Sequence, residues 1–212
     1  MKYLLSTILF ATCVVTGFSQ GQKDPAALTI LESMSQKYES YPSFSADFTY
    51  TLINPDKSKE DITGAMTVKG EKYKLDLGDQ EITNNGDTIW TYLKDVNEVN
   101  ITLYYPEEQE ITLSSIWSIY EDGYKYVYVE ARDGGKTHVI DLEPEDSGKD
   151  IYKIRMEITD ENRLLSFMLY ERSGVQYLYT INNFDEKVNA QDDYFAWDKK
   201  AHPDVDVIDF TN

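Results

Sequence analysis

The amino-acid sequence predicts a mainly β protein in which one N-terminal helix precedes a strongly curved antiparallel sheet or barrel. Three observations carry that prediction. About ten segments alternate apolar and polar residues with a period of two, and turn residues separate them. The run from Ile82 to Leu93, ITNNGDTIWTYL, sets Asn84-Asn85-Gly86-Asp87 between two such segments, and Asn-Gly flanked in this way is the strongest short-range hairpin signal. Tyrosine, at 17 residues, far outnumbers tryptophan (3) and phenylalanine (8), which suits half-buried strand faces with one wet edge.

The first element is a targeting segment. Lys2, the apolar run Tyr3 to Val15 and the small residues Gly17 and Ser19 read as a secretory signal cleaved after Ser19. The run is too short to span a membrane. Cys13, the only cysteine, lies inside it, so the exported chain holds no disulfide and no thiolate chemistry. Residues 20–212 then form a single domain, with no internal repeat or linker. The full chain's net charge of −18 repels nucleic acid and anionic lipid head groups and favours solubility.

Asp24-Pro25 opens the helix, because Asp is a good N-cap and Pro fits the first helical position. Ala27, Ile30, Leu31, Met34 and Tyr38 give it one apolar face, and Tyr41-Pro42 ends it. Strands follow. Phe44, Ala46, Phe48, Tyr50 and Leu52 share one face; Ile62, Gly64, Met66 and Val68 form the next, then Tyr73, Leu75 and Leu77. The Asn-Gly hairpin puts Trp90 and Tyr92 on one strand face, with Ile89, Thr91 and Leu93 on the other. Val99, Ile101 and Leu103 pair back. The spacing then changes: Leu113, Ile116, Trp117 and Tyr120 sit at i, i+3, i+4 and i+7, the stripe of a short helix over 111–120. Such a helix among strands must lie on the sheet or over its open end. Strands resume through Tyr124–Val129, His138–Leu142, Tyr152–Ile158, Leu164–Tyr170 and Val175–Ile181, ending in short pieces at Phe195-Ala196-Trp197 and Val205–Ile208. Leu164–Tyr170 is apolar on both faces and reads as a fully covered central strand.

A search for chemistry finds no enzyme signature. Only His138 and His202 could serve a Ser-His-Asp arrangement, and no G-x-S-x-G motif accompanies them. No cysteine pair or paired histidine spacing suggests a metal, and no Gly-rich loop suggests a phosphate. The acidic pairs Glu107-Glu108, Asp160-Glu161 and Asp192-Asp193 fall in turns, while Asp204, Asp206 and Asp209 alternate with apolar residues as the outer face of a strand. A glycosidase pair needs carboxylates about 5–10 Å apart across a cleft, a distance that chain spacing leaves open. No cofactor is implied.

Several pieces in order resemble the LolA family, the periplasmic carriers that move lipoproteins from the inner to the outer bacterial membrane. Phe44-Ser45-Ala46-Asp47-Phe48 is similar to the family's F-x-A-x-F strand, and Gly64 to Lys69 to its G-x-x-x-V-K segment. Asn85-Gly86-Asp87 through Trp90 and Tyr92 matches the D/N-G-x-x-x-W-x-Y hairpin. Phe195-Ala196-Trp197 and Val205 to Ile208 resemble its close. The resemblance implies an incomplete antiparallel β-barrel of about eleven strands with short lid helices. It also implies a periplasmic monomer without stable membrane insertion, lipoprotein acyl chains as ligand, an inner-membrane lipoprotein-releasing transporter and an outer-membrane acceptor. Phe48, Tyr73, Leu75, Trp90 and Tyr92 are expected to line the cavity, with Leu113, Ile116, Trp117 and Tyr120 beneath the lid; the alternative for each is ordinary core packing. Where family members carry a lid-closing arginine after V-K, this chain has Gly70. Two other readings stand beside the lipoprotein carrier: a carrier of another amphiphile, such as a pigment or lipid precursor, and a β interaction domain with no ligand.

Overall fold

Asp24 caps the first helix and fastens it to the sheet. Its Oδ1 accepts the Ala26 N–H at 2.9 Å, and its Oδ2 accepts the Tyr128 N–H at 3.1 Å, while its own N–H donates to the Tyr126 carbonyl at 3.1 Å. The helix, α1 (Pro25–Glu39), is therefore pinned at its start to an edge strand of the sheet. Ala27, Leu31, Met34 and Tyr38 on its buried face join the inner core, as the helical spacing predicts. The computed structural model describes residues 23–106, 111 and 115–211; the expected signal segment and Leu113 lie outside these residues.

Twelve strands follow: β1 (Phe44–Ile53), β2 (Lys59–Lys69), β3 (Lys72–Asp76), β4 (Gln80–Asn84), β5 (Thr88–Leu93), β6 (Glu98–Leu103), β7 (Tyr124–Arg132), β8 (Thr137–Pro144), β9 (Ile151–Thr159), β10 (Leu164–Glu171), β11 (Gln176–Asp185) and β12 (Asp206–Asp209). They form one sheet in the order β12-β6-β5-β4-β3-β2-β1-β11-β10-β9-β8-β7. All pairings but one are antiparallel; β12 runs parallel to β6. The two ends, β12 and β7, do not pair, so the sheet curls into an incomplete barrel, with one strand more than the eleven expected. The non-local joint is β1 against β11, where Asp47 pairs with Asn183 and Phe48 with Ile181. The extra residue, Asn182, is a bulge that lets both Ile181 and Phe184 reach the core.

A second bulge corrects the reading of Leu164–Tyr170. Leu164 pairs with Ile158 and Ser166 with Glu157, which leaves Leu165 unpaired and 37% exposed. Leu164 and Phe167 both face the core. The strand is apolar on both faces because its alternation is broken by one residue, and on its outer face Met168 and Tyr170 are half-buried rather than fully covered.

The inner face holds one continuous core. Phe44, Phe48, Met66, Val68 and Leu75 from one half meet Ile140, Ile154, Met156, Ile158 and Phe167 from the other, over the buried face of α1. Of the expected helix over 111–120, the described residues 115–118 form a turn and Ile119–Glu121 a single 3-10 turn. Ile116, Trp117 and Tyr120 are nevertheless all buried in the core. The stripe survives because two consecutive tight turns can point the same residues one way.

Candidate functional site

The interior is assembled at the mouth end of the barrel, where α1 ends and the β2–β3 and β4–β5 turns lie. Phe48, 1% exposed, packs over Gly64; a Cβ there would fall 2.6 Å from Phe48 Cζ and 2.9 Å from the Asp76 carbonyl. Leu75 pairs with Met66 on one side and Ile82 on the other, and Tyr73 with Val68 and Asn84. Burial pushes the Tyr73 hydroxyl up to about 12, helped by neighbouring Tyr104 and opposed by a hydrogen bond with Asn84. The structure thus brings Phe48, Tyr73 and Leu75 onto one inward face.

Trp117 closes this face. Its ring stacks on Tyr38 at 5.0 Å between centroids and 10° between planes, and meets Phe44 edge-on at 5.3 Å, arrangements that favour aromatic pairs beyond simple burial. Tyr38 also touches Tyr41 and Phe184 through its ring. Its hydroxyl accepts the Leu164 N–H at 3.2 Å, and burial pushes its pKa up to about 12. Tyr120 meets Tyr126 edge-on at 6.1 Å. Beneath this plug, between Trp117, Ile116, Met66, Phe167, Ile181 and Phe184, the remaining void is about 10 Å³. That is at the lower limit for a single water. At this place among the described residues the inward side chains are apolar and leave little free space.

Trp90 and Tyr92 are elsewhere. Ile82 of the inner face pairs with Thr91, so Trp90, opposite Thr83, and Tyr92, opposite Glu81, point to the outer face. They do not line the interior, contrary to expectation, because a strand with large residues on both faces does not declare which face is inside. Their cover is the C-terminal segment. Trp197 lies 5.0 Å from Tyr92 and stacks on His202 at 4.2 Å and 12°; His202 is 4.4 Å from Tyr92. Phe195, in a 3-10 turn at Asp192–Phe195, is fully buried outside the inner core. Asp192 anchors this strap to the β2–β3 turn, 2.8 Å from Lys69 Nζ and 3.2 Å from Lys72 Nζ. His202 is therefore a packing residue, and His138 Nδ1 sits 3.1 Å from the Tyr128 hydroxyl.

Outside the plug the mouth opens into a cleft of about 380 Å³, walled by Tyr38, Tyr41, Phe44, Tyr104 and Trp117 with the carboxylates Glu39 and Glu71. Gly70 lines it too, at φ +57° with open space where a Cβ would stand. The place of the family's arginine is thus at the mouth but bears no side chain, and Trp117 there is held by its ring contacts with Tyr38 and Phe44. Asn84, fully buried, braces the rim: its Nδ2 donates to the Glu71 carbonyl at 3.2 Å and its Oδ1 accepts the Gly86 N–H at 2.8 Å. Tyr38, Tyr41, Phe44, Asn84 and Glu71 are not among the site residues expected from sequence. The run of aromatics from Tyr38 to Phe44 across a helix end is the signal that marks the first three. Among the described residues, no cluster of metal-ligating side chains and no helix long and apolar enough to cross a membrane is present.

No curated protein matches the chain in sequence. In structure it is similar to an uncharacterized conserved protein from Thermus thermophilus, with a TM-score of 0.57, 12% identity, and coverage of 87% of this chain and 99% of that one. A LolA superfamily protein from Nitrosomonas europaea gives 0.45, 14% identity, 82% and 98%. Lipoprotein LppX from Mycobacterium tuberculosis gives 0.45, 14% identity, 79% and 100%. The sequence model for the outer membrane lipoprotein carrier protein LolA matches residues 39–198, most of the chain. With that match and the curled sheet, this chain belongs to the LolA family, that of the outer membrane lipoprotein carrier protein.

Proposed function

We propose that the protein is a periplasmic carrier that takes the acyl chains of a lipoprotein into its barrel and moves the lipoprotein from inner to outer membrane. The observation that supports this best is the aromatic plug. Trp117, stacked on Tyr38 and edge-on to Phe44, covers apolar side chains that leave a void of only about 10 Å³ beneath it. An acyl chain can enter only by displacing the plug and its neighbours. Each buried methylene contributes about 0.8 kcal/mol, so an unlidded cavity would hold its cargo too firmly to hand over. A lid that refills the space on release brings the loaded and empty states near balance. Phe48, Tyr73 and Leu75 form the acyl-contacting wall, and Ile116, Trp117 and Tyr120 the lid. In this reading the chain is exported by its N-terminal signal and cleaved near Ser19. It receives cargo from an inner-membrane transporter and delivers it to an outer-membrane acceptor.

The test uses tryptophan emission. In a Trp90→Phe/Trp197→Phe background only Trp117 reports, and a triacylated lipopeptide is expected to shift its emission in a saturable way. Trp117→Asp is expected to weaken binding while the sheet still unfolds cooperatively. If the lipopeptide neither binds nor shifts the emission, the carrier reading fails. Release of lipoproteins from spheroplasts on adding the protein separates a lipoprotein carrier from a carrier of another amphiphile, which binds acyl probes but releases nothing.

A further inference from the structure

The mouth cleft has a chemistry of its own. Its wall is aromatic, with Tyr38, Tyr41, Phe44, Tyr104 and Trp117, and its charged groups are the carboxylates Glu39 and Glu71. Both glutamates are exposed, and neither forms an ion pair among the described residues; Glu39 accepts the Ser35 hydroxyl at 3.3 Å. The sequence around Glu71 makes this a structural arrangement rather than an accident of composition. In Lys69-Gly70-Glu71-Lys72 the acid is flanked by two lysines that could neutralise it. Both are instead drawn to the outer face, where Asp192 of the C-terminal strap binds them at 2.8 and 3.2 Å. Arg163, the cation near Tyr41, is engaged by Glu186 at 3.5 Å. The Glu71 backbone is held in turn by Asn84. What remains at the mouth among the described residues is an aromatic wall, in which Tyr41 and Tyr104 are partly open while Tyr38, Phe44 and Trp117 are buried behind them, and two exposed carboxylates without an ion-pair partner, an environment that attracts an ammonium group through Coulomb and ring-quadrupole terms together.

We infer that this cleft is a head-group subsite for a positively charged amine beside the acyl chains. The inference rests on the carrier reading and specifies its cargo: an amphiphile whose first polar atoms outside the barrel include an ammonium. The strap takes part indirectly, because Asp192 keeps Lys69 and Lys72 away from the mouth.

The experiment compares probes that differ only in that charge. One arm pairs a dipalmitoylated cysteinyl peptide bearing a free α-amine with its N-acetylated form. The other pairs a triacylated peptide carrying lysines next to the lipidated cysteine with its acetyl-lysine form. Affinities are read by Trp117 emission in the background above. In at least one arm the amine form is expected to bind about five-fold tighter at low salt, a preference that shrinks at high salt. The arm that shows it names the source of the amine. Glu39→Gln/Glu71→Gln is expected to bring the ratio to one. Equal affinities in both arms, or a preference that survives in the double variant, overturns the subsite and leaves the carrier standing. Failure of every acyl probe to bind overturns both.

Discussion

Gly64, Asn84 and Trp117 show how single residues set the interior. Gly64 is needed because Phe48 lies where a side chain would go, and the Asp76 carbonyl lies almost as close. Gly64→Ala is expected to cost about 1–3 kcal/mol in urea unfolding, the usual range for overpacking. Phe48→Leu should recover only part of it, because the carbonyl cannot retreat as a ring can; full recovery would show that the ring alone sets the limit. Asn84→Ala leaves the Glu71 carbonyl without its donor and should cost about 1–3 kcal/mol. Trp117→Ala is expected to destabilise the chain less than Met156→Ala, which removes a fully buried side chain at a typical cost of about 2–5 kcal/mol. In the proposed carrier the lid detaches while the sheet stays folded. Equal losses would make Trp117 an ordinary core residue.

Two elements act as fasteners. Asp24 caps α1 through Ala26 and ties it to the β7 edge through two further hydrogen bonds, with Tyr126 and Tyr128. Asp24→Ala should cost about 1–2 kcal/mol and speed amide exchange at Tyr128 above its strand neighbours; an unchanged Tyr128 rate would show that α1 is held by packing alone. The C-terminal strap depends on Asp192, whose carboxyl is held below the usual range by hydrogen bonds from Lys69 and Lys72. A lowered folded-state pKa means that its contribution is present above the ordinary carboxylate value and is lost as pH falls through the lowered one. Strap release, read by Trp197 emission or proteolysis near Val188, is therefore expected only on strong acidification. Asp192→Asn should release it at neutral pH, and an identical acid profile in that variant would count against the clamp. These elements are unequally legible. The α1 start follows from Asp24-Pro25, and the hairpin from Asn85-Gly86, with Gly86 at φ +97° and Asn85 Oδ1 accepting the Asp87 and Thr88 N–H groups. The bulges at Asn182 and Leu165 are not legible, because each is set by its partner strand.

At the scale of the molecule, the order of the sheet brings β1 beside β11 and leaves β7 and β12 as edges. The net charge of −18 opposes this compact state through self-repulsion. Moderate salt is therefore expected to raise the melting temperature, as screening weakens repulsion more than it weakens the few surface ion pairs; a fall would mean that pairs such as Arg155–Asp141, with contacts at 2.6 and 2.7 Å, outweigh the repulsion.

The sequence by itself determined the start of α1, the Asn-Gly hairpin and most of the strands, since alternation, caps and turn residues act over a few bonds. It also carried the family, through short motifs in a fixed order. The tertiary structure alone decided which face is inside. Trp90 and Tyr92 suit the cavity and the outer surface equally well by composition, and only the pairing of Ile82 with Thr91 turns them outward beneath Trp197. Trp117 becomes a plug for the same reason: its neighbours Tyr38 and Phe44 are distant in the chain, and only the curl of the sheet brings them within stacking distance.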